Sequence, residues 1–174
     1  MLQRDLIRNA LIVPACAVAL AVFVKVAKAG PLEEGYAASD RGDYAAAYKL
    51  LRPLAEQGDA SAQKWLGAYF ASEKAGARRD FREAIKWYRK AAEQKNRDAA
   101  FLLAVMYLNG LGVSEDYVLA HMWFNIAASS GAEYNDGARA ARDGLAQRMT
   151  REQIAEAQRM ARKWLEQHGE GAPR

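Results

Sequence analysis

The sequence predicts an all-α fold, an α-solenoid of antiparallel helix-pair repeats, from three observations. A set of residues recurs at a period of 36 to 37 positions. Within each recurrence the apolar residues fall at helical spacing, i, i+3, i+4, i+7 and i+8. The composition, rich in Ala and Leu with few β-branched residues and a single threonine, Thr150, favours helices over strands. At 174 residues, 51% of them hydrophobic, the chain is large enough to bury a real core.

Residues 1–29 read as a secretion signal. Arg4 and Arg8 make a basic start, Ala10 to Val24 an apolar run, and Ala27 and Ala29 put small residues ahead of Gly30 and Pro31, so cleavage is expected after Ala29. The run is short for a spanning helix, which needs about 20 residues. Two alternatives stand beside this reading: an uncleaved membrane anchor through residues 9–27, and a lipoprotein site at Val13-Pro14-Ala15-Cys16, where Pro14 is awkward. Each places the rest of the chain outside the cytoplasm, either periplasmic or secreted, or anchored in the inner membrane and facing the periplasm.

Charge and cysteine usage narrow the function classes. The net charge is +4, and a basic balance points to nucleic acid or an anionic membrane only where it lies on the folded domain. Without residues 1–29, which hold Arg4, Arg8, Lys25 and Lys28 against Asp5, the remaining chain has 21 basic and 20 acidic residues, a net charge of +1. Nucleic acid is therefore not an expected partner, and a membrane only through an uncleaved N-terminus. Cys16, the only cysteine, lies in the same segment, so no intrachain disulfide or thiolate metal site is expected.

The repeat itself begins with Asp43-Tyr44, which recurs as Asp80-Phe81 and Asp116-Tyr117. Each pair is followed at a constant interval by Ala47, Ala84 and Ala120, then by Leu50-Leu51, Trp87-Tyr88 and Trp123-Phe124, then by Leu54-Ala55, Ala91-Ala92 and Ala127-Ala128. The three aspartates are read as N-caps, with Asp80 and Glu83 at capping-box spacing. Gly58 and Gly131 stand just past the helix ends, where a left-handed residue satisfies the last carbonyls; Lys95 holds that place in the middle unit, unless Asn96 adopts the conformation instead. A shorter helix precedes each of the later ones: Ala62, Leu66, Gly67 and Phe70 correspond to Ala99, Leu103, Ala104 and Tyr107.

The strings Gly42-Asp43-Tyr44, Leu54 to Ala60, Ala84 to Gln94 and Tyr107 to Val113 resemble Sel-one-like repeats (SLR), a relative of the tetratricopeptide repeats. The resemblance covers about residues 33–131. It implies three units, about 32–58, 59–95 and 96–131, within a repeat domain of residues 30–134. Two departures stand out. Residues 72–77 replace the glycine turn of the family in the first full unit, and Ser39 sits where an aromatic is usual, so the opening helix, about residues 32–41, is expected to pack loosely.

Beyond Gly131 the register stops, and residues 135–168 read as a capping helical hairpin, followed by a tail at 169–174. Thr150 and Gln153 have capping-box spacing, and Ile154, Ala157, Ala161, Trp164 and Leu165 make a stripe that packs back onto the stack. The hairpin's charged residues, seven basic against five acidic, read as a solvated face.

No chemistry of catalysis emerges. His121 sits at the variable position equivalent to Tyr48 and Ile85 and reads as structural, and His168 near the tail reads as solvated. The recurring carboxylates are caps, Gly110-Leu111-Gly112 belongs to the repeat turn, and Trp87, Tyr88, Tyr107 and Trp123 occupy repeat-core positions. No enzyme, cofactor or metal is expected. The resemblance implies a scaffold that binds a protein partner on its concave surface, with envelope assembly, signalling or host contact as the settings of its relatives. Some cysteine-rich relatives act on β-lactams, a branch that the missing cysteines argue against. The candidate partner-binding residues are Phe101, Val105 and Leu108, at i, i+4 and i+7 on the shorter helix of the third unit, with Lys64 at the position equivalent to Phe101. The competing reading packs these three under the C-terminal hairpin. A monomer is expected.

Overall fold

A computed structural model of the chain describes residues 30–73, 78–129 and 136–168. The segment read as a secretion signal, Gly131 and the tail from residue 169 lie outside the described residues. The described residues form eight α-helices and no strand: α1 (Pro31–Asp40), α2 (Tyr44–Glu56), α3 (Ala60–Ala71), α4 (Phe81–Glu93), α5 (Arg97–Leu108), α6 (Tyr117–Ala127), α7 (Asp136–Ala146) and α8 (Arg151–His168). Each helix from α1 to α6 packs on the next, which gives three helix pairs, and both α7 and α8 then pack on α6.

The caps explain where these helices start. Asp43, Asp59, Asp80, Asn96 and Asp116 each accept, through a side-chain oxygen, the backbone N–H three residues on, at 2.7 to 3.0 Å. Such a cap contributes on the order of 1 kcal/mol. Asp80 and Glu83 do not form the reciprocal box expected from their spacing. The Asp80 amide donates to the Phe70 carbonyl at 2.8 Å, and the Glu83 carboxylate pairs with Lys86 at 2.8 Å. The Asp116 amide makes the equivalent bond to Tyr107, 2.9 Å, so the first helix of a pair ends on the cap of the second. The full box appears instead at α8, where Thr150 and Gln153 exchange bonds of 3.2 and 2.9 Å.

The helix ends are built on left-handed residues. After α2, the Asp59 amide bonds Leu54 O and the Gly58 amide bonds Ala55 O, with Gly58 at φ +103°. After α4 the same two bonds run from Asn96 to Ala91 and from Lys95 to Ala92, with Lys95 at φ +67°. Lys95, not Asn96, therefore takes the strained conformation, because Asn96 is already committed as the extended cap of α5.

The core repeats with the sequence. Ala47, Ala84 and Ala120 are fully buried, and the equivalent Leu51, Tyr88 and Phe124 are at most 2% exposed. Burying one such large side chain stabilises the fold by about 1.5–3 kcal/mol. One apolar cluster gathers Leu51, Leu66 and Trp87; a larger one runs from Tyr88 and Leu103 through Phe124 to Ala157 and Ala161 of α8. Burial alone pushes the Tyr88 phenol up to about 12.

The opening helix does not pack loosely. Gly35 is pressed against the Leu51 side chain, Ala38 is 2% exposed, and the Trp65 indole N–H donates to Ser39 Oγ at 3.0 Å. A serine replaces the usual aromatic here because it receives the indole of the next unit. The hairpin packs as the sequence pattern requires: Ala157 and Ala161 are buried, and the Trp164 ring meets Trp123 edge-on at 5.5 Å.

Candidate functional site

The first helices of the three pairs, α1, α3 and α5, are joined to one another by side chains. The Tyr36 hydroxyl on α1 donates to the Ser61 carbonyl on α3 at 2.9 Å. Its phenol is held above the usual value, chiefly by burial and then by the nearby Asp59 carboxylate. Lys64 Nζ on α3 reaches Asp98 Oδ2 on α5 at 2.8 Å. Lys64, a candidate partner-binding residue, thus spends its ammonium on the neighbouring unit, although the Asp98 side chain remains 73% exposed.

Phe101, Val105 and Leu108 lie along one side of α5, and all three are half-buried against the larger core cluster. The Phe101 ring sits 5.4 Å from that of the buried Phe124. That cluster also contains Ala138 of α7 and Ala157 of α8, so part of the stripe's surface is used in packing. Of α5, Asp98 is the one exposed residue.

The richest aromatic surface lies one unit earlier and was not singled out from the sequence. Trp65 and Tyr69, at i and i+4 on α3, stack at 5.4 Å between ring centroids, and Tyr48 of α2 approaches Tyr69 at 4.8 Å. All three are half-buried. Ala68, exposed between Trp65 and Tyr69, joins Ser39, Tyr44 and Ser72 around a shallow depression of about 50 Å³. The i, i+4 pairing of Trp65 with Tyr69 was legible.

The residues that composition left as possible chemistry are structural. His121 is 2% exposed, and its Nδ1 faces Asn125 Nδ2 at 3.0 Å. Arg142 Nη1 donates to Asn125 Oδ1 at 3.3 Å, which orients the amide so that its N–H points at the imidazole. Nδ1 is therefore an acceptor, and burial first, then the Arg142 charge, hold the imidazole below its usual value, with Asp143 opposing. His168 is not solvated as expected. It stacks on Trp164 at 4.3 Å, and its Nδ1 donates to the Trp164 carbonyl at 2.9 Å, because the last turn of α8 remains helical and packed.

Trp87, Tyr88, Tyr107 and Trp123 are all within 9% exposure and serve as packing. Among the described residues no group of three or more His, Cys, Asp or Glu is placed to hold a metal ion. No described helix is long and apolar enough to cross a membrane.

Comparison with protein families matches the Sel1 repeat three times, over residues 29–59, 60–96 and 97–131. Comparison with curated proteins finds no match. Among solved structures, the chain is similar to a protective antigen present in uropathogenic Escherichia coli strains that displays an SLR fold. The TM-score is 0.74 and the identity 27%, over 80% of this chain and 30% of that one. It is also similar in fold to a Sel1 repeat protein from Oxalobacter formigenes, with a TM-score of 0.61 and 22% identity, over 82% of this chain and 63% of the other. The chain spans under two thirds of the length of either neighbour.

Proposed function

The chain belongs to the Sel1 repeat family, and from that premise we propose that it is an exported scaffold that binds a protein partner on the face formed by α1, α3 and α5. Sel1-repeat folds are commonly protein-interaction modules and typically non-catalytic. The observation that carries the reading is the side-by-side linkage of the three first helices. Tyr36 to Ser61 and Lys64 to Asp98 hold them in one row, and Trp65 and Tyr69 lie partly exposed along it. Rigid, partly exposed aromatics are the residues that anchor protein interfaces. Phe101, Val105 and Leu108 add half-buried apolar surface on α5, to which Lys64 of α3 is tied through Asp98.

Export rests on the pattern of residues 1–29, with cleavage after Ala29 and release into the periplasm or beyond. The runner-up is an anchored component of an envelope complex, facing the periplasm. The β-lactam-hydrolysing branch is disfavoured by the lack of any cysteine beyond Cys16. A monomer suits a stack closed at one end by its own hairpin.

The test is capture from an envelope fraction with the wild type and three variants: Ala68→Glu, Val105→Lys and, on the exposed side of α2, Lys49→Glu. One defined protein should be held by the wild type and Lys49→Glu and lost by the other two, with all four chains folded. Retention by Ala68→Glu and Val105→Lys contradicts the assignment of the face. N-terminal sequencing separates the two locations: a mature chain starting at Gly30 supports release, and one retaining residues 1–29 supports the anchor.

A further inference from the structure

Where the last helix returns across the stack, it closes a pocket of about 100 Å³ with the turn between α4 and α5. This is far more than the roughly 10–15 Å³ that one water needs. The floor is apolar and buried: Ala92 and Ala100 are each 1% exposed, and Ile126 3%. Trp164 and Leu165 of α8 make a wall. The remaining charge is of one sign, from Lys95 and Arg97, and none of the lining residues is acidic.

Three of these residues have their conformations fixed by their surroundings. Lys95 sits at φ +67° where the equivalent turn one unit earlier uses Gly58, at φ +103°. A glycine closes the turn without strain, so the lysine stands on the pocket lining at a conformational cost. Arg97 is fixed by bonds from one guanidinium nitrogen, Nη1, to the Ile126 carbonyl at 3.1 Å and to Ser129 Oγ at 2.6 Å. A guanidinium anchored on one nitrogen presents its other N–H groups in a set direction, the geometry that suits a carboxylate. His168 is fixed too, by its stacking on Trp164 and its Nδ1 bond to the Trp164 carbonyl.

We propose that this pocket is a binding subsite for the C-terminal residue of a partner polypeptide, with an apolar side chain on the floor and the α-carboxylate between Lys95 and Arg97. The order of polarity selects this occupant. An aspartate or glutamate side chain entering the pocket would carry its charge towards Ala92, Ala100 and Ile126, where nothing compensates it. Among the residues of a polypeptide, only the C-terminal one bears an apolar side chain and a carboxylate on the same carbon. The subsite takes Arg97 and Ala100 from α5 but uses none of the side chains named on the α1, α3 and α5 face, and it does not depend on a partner docking there.

The test is a chemical-shift titration of the full chain with three synthetic peptides: acetyl-Gly-Gly-Ser-Leu as the free acid, the same peptide as its C-terminal amide, and acetyl-Gly-Gly-Ser-Asp-amide. The free acid should saturate shifts of the Trp164 indole and the His168 ring, while the two amides bind at least tenfold more weakly. Lys95→Gly, which relieves strain and so keeps the fold, should weaken the free acid severalfold, and Arg97→Gln should do so by about tenfold. Ala68→Glu should leave it unchanged, which separates failure of this site from failure of the helical face. Equal binding of acid and amide, equal binding of the aspartyl peptide, no saturable shift in the wild type, or unchanged affinity in Lys95→Gly would each overturn the proposal.

Discussion

A methyl group on Gly67 of α3 would lie 2.4 Å from the ring of Tyr88 on α4, so the tyrosine occupies the space that any larger residue would need. In the third unit the equivalent pair is Ala104 with Phe124. Tyr88 is 2% exposed and the chain around it is closely packed, so the ring has little room to withdraw. Gly67→Ala pits a gain of about 1 kcal/mol in helix propensity against a clash costing about 1–3 kcal/mol. The variant should be less stable than the wild type by urea denaturation. A net gain would mean that the pair is not tightly packed.

Lys95 gives the opposite sign. Its left-handed backbone costs about 1–2 kcal/mol for a side-chain-bearing residue, part of which the greater freedom of glycine in the unfolded chain takes back. Lys95→Gly should raise stability by about 0.5–1 kcal/mol. The cation over the Trp87 ring belongs to Lys90, at 4.5 Å, and is unaffected by the change. A loss of stability would show that the lysine side chain holds the turn.

The His121 imidazole makes the fold acid-sensitive. In the unfolded chain it takes up a proton near its ordinary value of about 6.5, and in the folded chain only at a lower pH. The unfolded state therefore binds more protons in that window. Stability is whole above it, falls as the pH drops through it, and levels off below the folded value. Replacement by isoleucine, the residue of the equivalent Ile85, should flatten the fall in melting temperature between pH 7 and pH 5. His168 is retained in that variant, so an unchanged slope would assign the sensitivity elsewhere.

The bridge between Lys64 and Asp98 is short but open to water on the Asp98 side, with side chains 30% and 73% exposed. Such pairs contribute about 0.2–1 kcal/mol. Lys64→Ala should cost no more than that in chemical denaturation, and the loss should shrink at high salt. A larger, salt-independent loss would make the bridge the main fastening between the second and third units.

Much of this architecture was legible because it is local. Asp43, Asp80 and Asp116 cap helices in the structure as their spacing requires, the apolar stripe of α4 is buried, and that of α8 is buried at Ala157 and Ala161 and half-buried at Ile154, Trp164 and Leu165. What the sequence did not disclose depends on contacts between units. Ser39 looked like a gap until the Trp65 indole was seen to bond it. Glu83 had the spacing of a box partner, yet the amide it would have met belongs to the Phe70 carbonyl. His168 read as solvated although Trp164 stands four residues before it on the same helix, and nothing in one dimension brings it beside Lys95 and Arg97. The candidate surface was half legible: the α5 stripe followed from helical spacing, whereas the Trp65 and Tyr69 platform gains its meaning from the α1 and α2 residues around it.

The claim that a protein partner docks on the row of first helices is tested most directly by site-specific photocrosslinking in intact cells. A photoreactive residue is placed at Ala68, at Val105 or, as a control on the exposed side of α4, at Arg89. One discrete adduct of the same mass from positions 68 and 105, absent from position 89, is the predicted result. Adducts from position 89 alone, or none from the row while position 89 reacts, would contradict it.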